Sequence, residues 1–163
     1  MAPEPMPRPG TAVRGMGANA ADAGVTVFFY GLYMDAALLE RKHSAASPPR
    51  RARPDGYRIV IEARATLVPA NAAAVYGLVM QVPADDLERL YADPAVRDYR
   101  ARPVRVTVDP DTALEAVCYI APLVGGARSE RYVLELERLA TRLQLPGEYR
   151  AALRIAAPGG AAP

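Results

Sequence analysis

Cysteine, histidine and lysine occur once each in this 163-residue chain, as Cys118, His43 and Lys42. One cysteine and one histidine fall short of the ligand set of a structural zinc site. A lone cysteine also excludes a disulfide framework, which makes a reduced, cytoplasmic setting the expectation. No metal, haem or iron–sulfur cluster suits such a sequence, and no cofactor is expected. With lysine so scarce, 19 of the 20 basic residues are arginine. Beside abundant alanine, proline and glycine, this is the composition of a GC-rich coding sequence rather than of a polyanion binder. The net charge of +2 lacks the dense basic footprint of a nucleic-acid-binding protein. Arg50, Arg51 and Arg53 cluster locally, and a solvated loop describes them better than a phosphate site.

Familiar catalytic motifs are missing as well: there is no Walker loop, no GxSxG elbow and no GxGxxG. Cys118 lies in mid-strand, where a free cysteine behaves as a small hydrophobe rather than a nucleophile. His43 stands at a helix end between Lys42 and Ser44, a surface or dipole-facing position. Residues 65–84 carry no charge over the length of a membrane span, but Pro69, Asn71, Gln81 and Pro83 interrupt them. Two core strands joined by a turn account for that stretch, so no membrane partner is expected.

What is present suits one domain, because 51% hydrophobic and 23% charged residues lie close to globular averages. Residues 1–24, rich in proline, alanine and glycine, read as a disordered tail without the apolar stretch of a signal peptide. Residues 157–163 read as a flexible C-terminal tail, leaving 25–156 as the folded domain. The β-branched and aromatic run 25–30 predicts a buried strand ending at Gly31. Asp35 is placed to cap a short helix over 35–42. Residues 57–63 alternate, with Tyr57, Ile59, Ile61 and Ala63 on one face. Residues 73–82 predict another apolar strand, and Pro83 with Asp85 and Asp86 opens a helix carrying Leu87, Leu90 and Tyr91 on one stripe.

Strands are predicted over 102–108 and 114–120, separated by Asp109-Pro110-Asp111. Ser129 is a candidate N-cap for the longest helix, 130–143, and Pro146-Gly147 separates it from a last helix over 148–156. The order of elements is α+β rather than a βαβ series.

Several segments, taken in order, carry a resemblance. Tyr30-Gly31-Leu32-Tyr33-Met34 follows the first strand; Ala65-Thr66-Leu67-Val68-Pro69 precedes Val75-Tyr76-Gly77-Leu78-Val79; Leu87-Glu88-Arg89-Leu90 leads through a loop to Tyr99; Leu145-Pro146-Gly147-Glu148-Tyr149 comes near the end. Over residues 25–153 the chain resembles the γ-glutamylcyclotransferase-like (AIG2-like) family. The resemblance implies a small mixed β-barrel flanked by helices. It also implies a cofactor-independent, transferase-type reaction in which the α-amino group of a γ-glutamyl amine expels the amine and forms 5-oxoproline. It would place Tyr30, Gly31, Leu32, Tyr33 and Met34 at a substrate-binding floor, with backbone N–H groups holding substrate oxygens. Tyr99, Tyr119 and Tyr132 fall where family members carry pocket tyrosines; half-buried core aromatics are the other reading of each.

The family's catalytic glutamate falls at Pro94 of this sequence. Asp93, one residue earlier and one methylene shorter, is the acid left in that loop. It is either a shifted general acid/base or a turn cap before Pro94. Leu32 and Tyr33 replace small polar residues and make the mouth of the site more apolar. Two readings stand: an enzyme acting on a small γ-glutamyl amine or related amino-acid derivative, or an inactive relative that binds an amino-acid-like ligand or serves as an assembly module. Either is expected to be a monomer or homodimer with a small-molecule partner.

Overall fold

The computed structural model describes residues 24–71, 75–109 and 111–155. The predicted tails and the start of the 73–82 strand therefore lie outside the described residues. The apolar run becomes strand β1 (Val25–Phe29), whose last three residues are buried. A 3-10 turn, Leu32–Met34, follows at once. Helix α1 (Ala36–Arg41) starts as predicted, with the Asp35 carboxylate accepting from Ala37 N–H. The chain leaves α1 through His43, which adopts a left-handed φ of 60°, the usual way for a helix to release its chain.

Arg50–Pro54 corrects the sequence reading, since it is a strand, β2, and not a solvated loop. Its alternate residues Ala52 and Pro54 are buried while Arg50 and Arg51 face water. Arg51 also pairs with Asp109 and donates to the Gln144 carbonyl. Strands β3 (Tyr57–Ile61) and β4 (Ala65–Pro69) pair only with each other, Ile59 facing Leu67. Strand β5 (Gly77–Val82) enters the barrel instead. The uncharged stretch is thus two core strands as expected, but they belong to different sheets rather than to one hairpin.

Helix α2 (Ala84–Leu90), with Pro83 at its N-cap, buries Leu87 and Leu90. Strands β6 (Arg100–Val108) and β7 (Thr112–Ile120) then form the longest ladder. Pro103, which donates no ladder bond, sits beyond the last residue of β6 that pairs with β2, an edge-like position that tolerates proline. The five strands close in the order β1-β5-β2-β6-β7. Closure is completed by parallel pairing of β7 with β1, Val27 opposite Val117 and Phe28 opposite Cys118. Helix α3 (Glu130–Arg142) has the predicted Ser129 cap and packs Val133, Leu136, Leu139 and Ala140 into the core. Helix α4 (Gly147–Leu153) buries Tyr149 and Leu153.

The architecture is therefore an α+β mixed barrel flanked by helices, as the sequence implied. Among the described residues no helix is long and apolar enough to cross a membrane. Gly77 makes the tightest backbone approach. A Cβ there would lie 2.2 Å from the Phe29 carbonyl oxygen and 2.8 Å from the Phe28 ring, closer than any real side chain tolerates. Gly77→Ala should cost more than about 2 kcal/mol by overpacking. Gly126→Ala, with open space around it, should stay within about 0.5 kcal/mol of wild type. Urea unfolding of the two variants checks the contrast; equal stabilities would contradict the packing at Gly77.

Candidate functional site

A cavity of about 230 Å³ opens where β1 runs into the turn. Phe28 and Phe29 bring aromatic rings to it from β1, and Tyr30, Gly31, Leu32 and Tyr33 continue its surface. Tyr119 reaches it from β7 and Tyr132 from the first turn of α3; Tyr91 at the end of α2 and Tyr99 before β6 complete the aromatic wall. Asp93, Ala95 and Val96 contribute from the loop between α2 and β6, and Leu38, Lys42, Arg64 and Ala65 from the other side. Of the site residues expected from sequence, Tyr30, Gly31, Leu32, Tyr33, Asp93, Tyr99, Tyr119 and Tyr132 all line this one cavity. Met34 does not: it is 1% exposed and packed in the core, because the 3-10 turn rotates its side chain inward.

Three of the six cavity tyrosines commit their hydroxyls to backbone carbonyls. Tyr30 donates to Tyr119 O at 2.7 Å, Tyr33 to Leu90 O at 2.9 Å and Tyr99 to Ala65 O at 2.5 Å. Rings therefore dominate the surface offered to a ligand. Tyr91 and Tyr119 stack with centroids 3.8 Å apart, and the edge of Tyr33 meets Tyr91 at 5.5 Å. Burial pushes the Tyr132 phenol up to about 12. Burial, then the charge of Asp93, does the same to Tyr33. Burial also raises Tyr30, Tyr91, Tyr99 and Tyr119, so these hydroxyls stay protonated at neutral pH. Cys118 is buried behind the wall with its thiol raised to about 12, which fits the hydrophobe reading and leaves no thiolate.

The turn forms the floor of the cavity. Met34 and Asp35 N–H donate to Gly31 O and Leu32 O, whereas the first N–H groups of such a turn have no carbonyl behind them to bond. A Cβ on Gly31 would come within 2.9 Å of the Tyr132 hydroxyl, so a glycine lets this turn sit against α3.

Charge enters at the mouth. Asp93 accepts from Lys42 Nζ at 2.8 Å through Oδ2 and from Ala95 N–H at 2.9 Å through Oδ1. The second bond closes an Asx turn before Pro94, so Asp93 caps a turn and lines the cavity at once. Lys42, followed by the Ala95 N–H, holds the carboxyl below its usual range. Arg64 is gripped by both oxygens of Asp98 at 2.7 and 2.8 Å, donates to Ala95 O at 2.7 Å and lies 4.8 Å over the Tyr99 ring. Sequence reasoning missed Lys42, Arg64 and Tyr91. Tyr91 was visible only as the end of a helical stripe, and no local pattern links the two cations to a loop dozens of residues away.

The family described as "Gamma-glutamyl cyclotransferase, AIG2-like" matches residues 27–139. No curated protein matches the chain. Among solved structures the chain is similar to one described as "Gamma-glutamyl cyclotransferase", at 17% identity and TM-score 0.67 over 84% of this chain and 90% of that one. An uncharacterized protein from Homo sapiens is similar at 18% identity and TM-score 0.69, over 85% and 91%. YkqA from Bacillus subtilis is similar at 22% identity and TM-score 0.67, over 81% of this chain and 53% of that one. At such identities the likeness concerns the fold.

Bonded carboxylates at and near the mouth make a small part of stability depend on acid. Asp86, Asp93 and Asp98 all have folded values below the ordinary carboxylate one, lowered by bonds to Ala45 N–H, Lys42 and Arg64 respectively. Their stabilisation is complete above the unfolded value of about 3.9. It is lost as pH falls through the lower folded values. The melting temperature should be level through the neutral and weakly acidic range and fall below about pH 4. An NMR titration should find the Asp98 carboxyl below its ordinary value because Arg64 donates to it, and an ordinary value there would contradict the Arg64–Asp98 pairing.

Proposed function

The chain belongs to the gamma-glutamyl cyclotransferase, AIG2-like family, and from that premise we propose that it is a cyclotransferase-type enzyme for a γ-glutamyl amine, or a related small amino-acid derivative, whose amine portion is apolar. The observation that carries this reading is the convergence of the Gly31 turn, Asp93 and the tyrosine wall on one cavity. The α-ammonium of such a substrate must lose a proton before its nitrogen attacks the γ-carbonyl. The carbonyl oxygen then gathers negative charge, and the departing amine must regain a proton as the five-membered ring of 5-oxoproline closes. Backbone N–H groups of the Gly31–Tyr33 turn are suited to stabilise that oxygen.

Asp93 is the carboxylate that lines the cavity among the described residues, and it is the proposed proton-transfer group. Held ionised by Lys42 at neutral pH, it is in the form that accepts a proton, though it is a weak base. A substrate ammonium beside it would share the carboxylate with Lys42. The Lys42–Asp93 pair also favours a second reading, in which the pocket binds such a ligand without turning it over. The ring-lined wall disfavours γ-glutamyl-cysteinyl-glycine. Burying its second carboxylate and amides without partners would cost about 1–3 kcal/mol for each group.

A panel of γ-glutamyl amides assayed for 5-oxoproline release, beside thermal shift on the same compounds, tests both readings. Release from amides of apolar amines, with little from glutathione, is the expected result; stabilisation without release would select the binding protein, and efficient glutathione turnover would overturn the specificity argument. Asp93→Asn should lower the rate by about 10²–10⁴-fold. An unchanged rate would place the base elsewhere. Because Asp93 is held low, the rate should show no acid limb between about pH 5 and 7; a carboxylate raised by burial would place one there.

A further inference from the structure

The two cations at the mouth differ in what they have left to offer. The guanidinium of Arg64 is filled by both oxygens of Asp98 and by the Ala95 carbonyl. Lys42 has one acceptor among the described residues, Asp93 Oδ2 at 2.8 Å, so two of its three ammonium donors remain. Asp93 spends one contact on Lys42 and one on Ala95 N–H, leaving lone pairs on a carboxylate that can accept about four bonds. Both side chains line the cavity and are about one-third exposed, 33% and 35%, so a ligand arriving from solvent reaches them.

A neutral pair of this kind discriminates by shape of charge. A lone ammonium is drawn to Asp93 and repelled by Lys42, and a lone carboxylate meets the opposite conflict. A molecule carrying both charges close together, laid antiparallel to the pair, is attracted twice. Standard bond lengths put the nitrogen and the nearer carboxylate oxygen of an α-amino acid about 2.7 Å apart, close to the 2.8 Å between Lys42 Nζ and Asp93 Oδ2. We infer that Lys42 and Asp93 together recognise the zwitterionic head of an α-amino acid, Lys42 taking the α-carboxylate and Asp93 the α-ammonium, while the remainder of the ligand enters the tyrosine-lined cavity. This rests on the proposed function and deepens it: Lys42 is the specificity-determining residue for the α-carboxylate, and it poises the α-nitrogen at the proton-transfer group.

Three compounds with the same aromatic end isolate the head group. They are γ-glutamyl anilide, 4-aminobutanoyl anilide without the carboxylate, and glutaric acid monoanilide without the amine. NMR titration of the full-length protein should show the zwitterion binding about tenfold or more tightly than either partial analogue. Lys42→Met should bring the zwitterion down to the level of the amine analogue, and Lys42→Arg, which keeps the charge, should restore most of the preference. Equal affinities for the three compounds in the wild type, a preference that survives Lys42→Met, or no binding by any of them would overturn the inference. 5-Oxoproline measured in the same samples separates it from the enzyme reading. An intact preference without release removes the enzyme and keeps the receptor, whereas release with no head-group preference keeps the enzyme and removes the receptor.

Discussion

Parallel pairing between the first and last barrel strands is the constraint on which the site depends. Strand β1 lies between β5 and β7, so its end is fixed on both sides, and whatever follows Phe29 must leave the barrel abruptly. The residues that leave are Tyr30 and Gly31. Tyr30 is fastened to the end of β7 through its bond to Tyr119 O, and Gly31 meets α3 at the Tyr132 hydroxyl. A parallel neighbour requires a long crossover, and the intervening chain supplies much of the remaining cavity wall, to which Tyr119 of β7 and Tyr132 of α3 are added. The strand pairing that closes the barrel thus also positions one side of the pocket.

The pocket divides its tasks by physical chemistry. Its walls are rings, held by buried aromatic contact and by hydroxyls turned toward backbone carbonyls, and this burial makes them the stable part. Its mouth is ionic, made of Lys42–Asp93 and Arg64–Asp98. Exposed pairs such as these contribute little to stability, but they set the direction of the field a ligand meets. Arg64 does more than neutralise Asp98, since its bond to Ala95 O and its place over Tyr99 tie the loop carrying Asp93 to the turn between β3 and β4. The loop is thereby a built part of the site.

Much of the fold was legible because its local signals agree with its tertiary role. The β-branched run of β1, the Asp35 and Ser129 caps and the heavy stripe of α3 each point one way, and each is found. Strand β2 was illegible for a physical reason. Its sequence Arg-Arg-Ala-Arg-Pro keeps period-2 burial only through Ala52 and Pro54, side chains too small to mark an apolar face. Tyr57–Ile61 gave the right strand, but burial of Val60 on its other face and of Glu62 beyond its end has no signature in alternation. Glu62 is buried because it accepts from Val124 and Gly125 N–H more than sixty residues away. The tyrosine wall was partly readable through resemblance, whereas the Lys42–Asp93 pair bridges 51 residues and no spacing rule reaches that far.

The Asp93-Pro94 sequence is the feature of the site that most needs a physical account. Proline has no N–H and a fixed φ, so the first N–H after Asp93 that its side chain can reach is that of Ala95, and it takes that bond at 2.9 Å. An aspartate held this way has one oxygen anchored to its own turn and the other aimed at Lys42. A glutamate at the neighbouring position would have an extra methylene, more reach and one more rotatable bond, but no such two-residue closure. The Asp93-Pro94 pair therefore offers rigidity where a longer acid would offer reach. A rigid carboxylate suits a pocket whose other walls are also fixed, by stacked rings and by hydroxyls already bonded. For a ligand of the kind proposed, such a carboxylate would narrow what fits, because the ammonium would have to come to it rather than be met by it. The demand for precise fit would then fall on the ligand's head group, and the aromatic wall would set what the other end accepts.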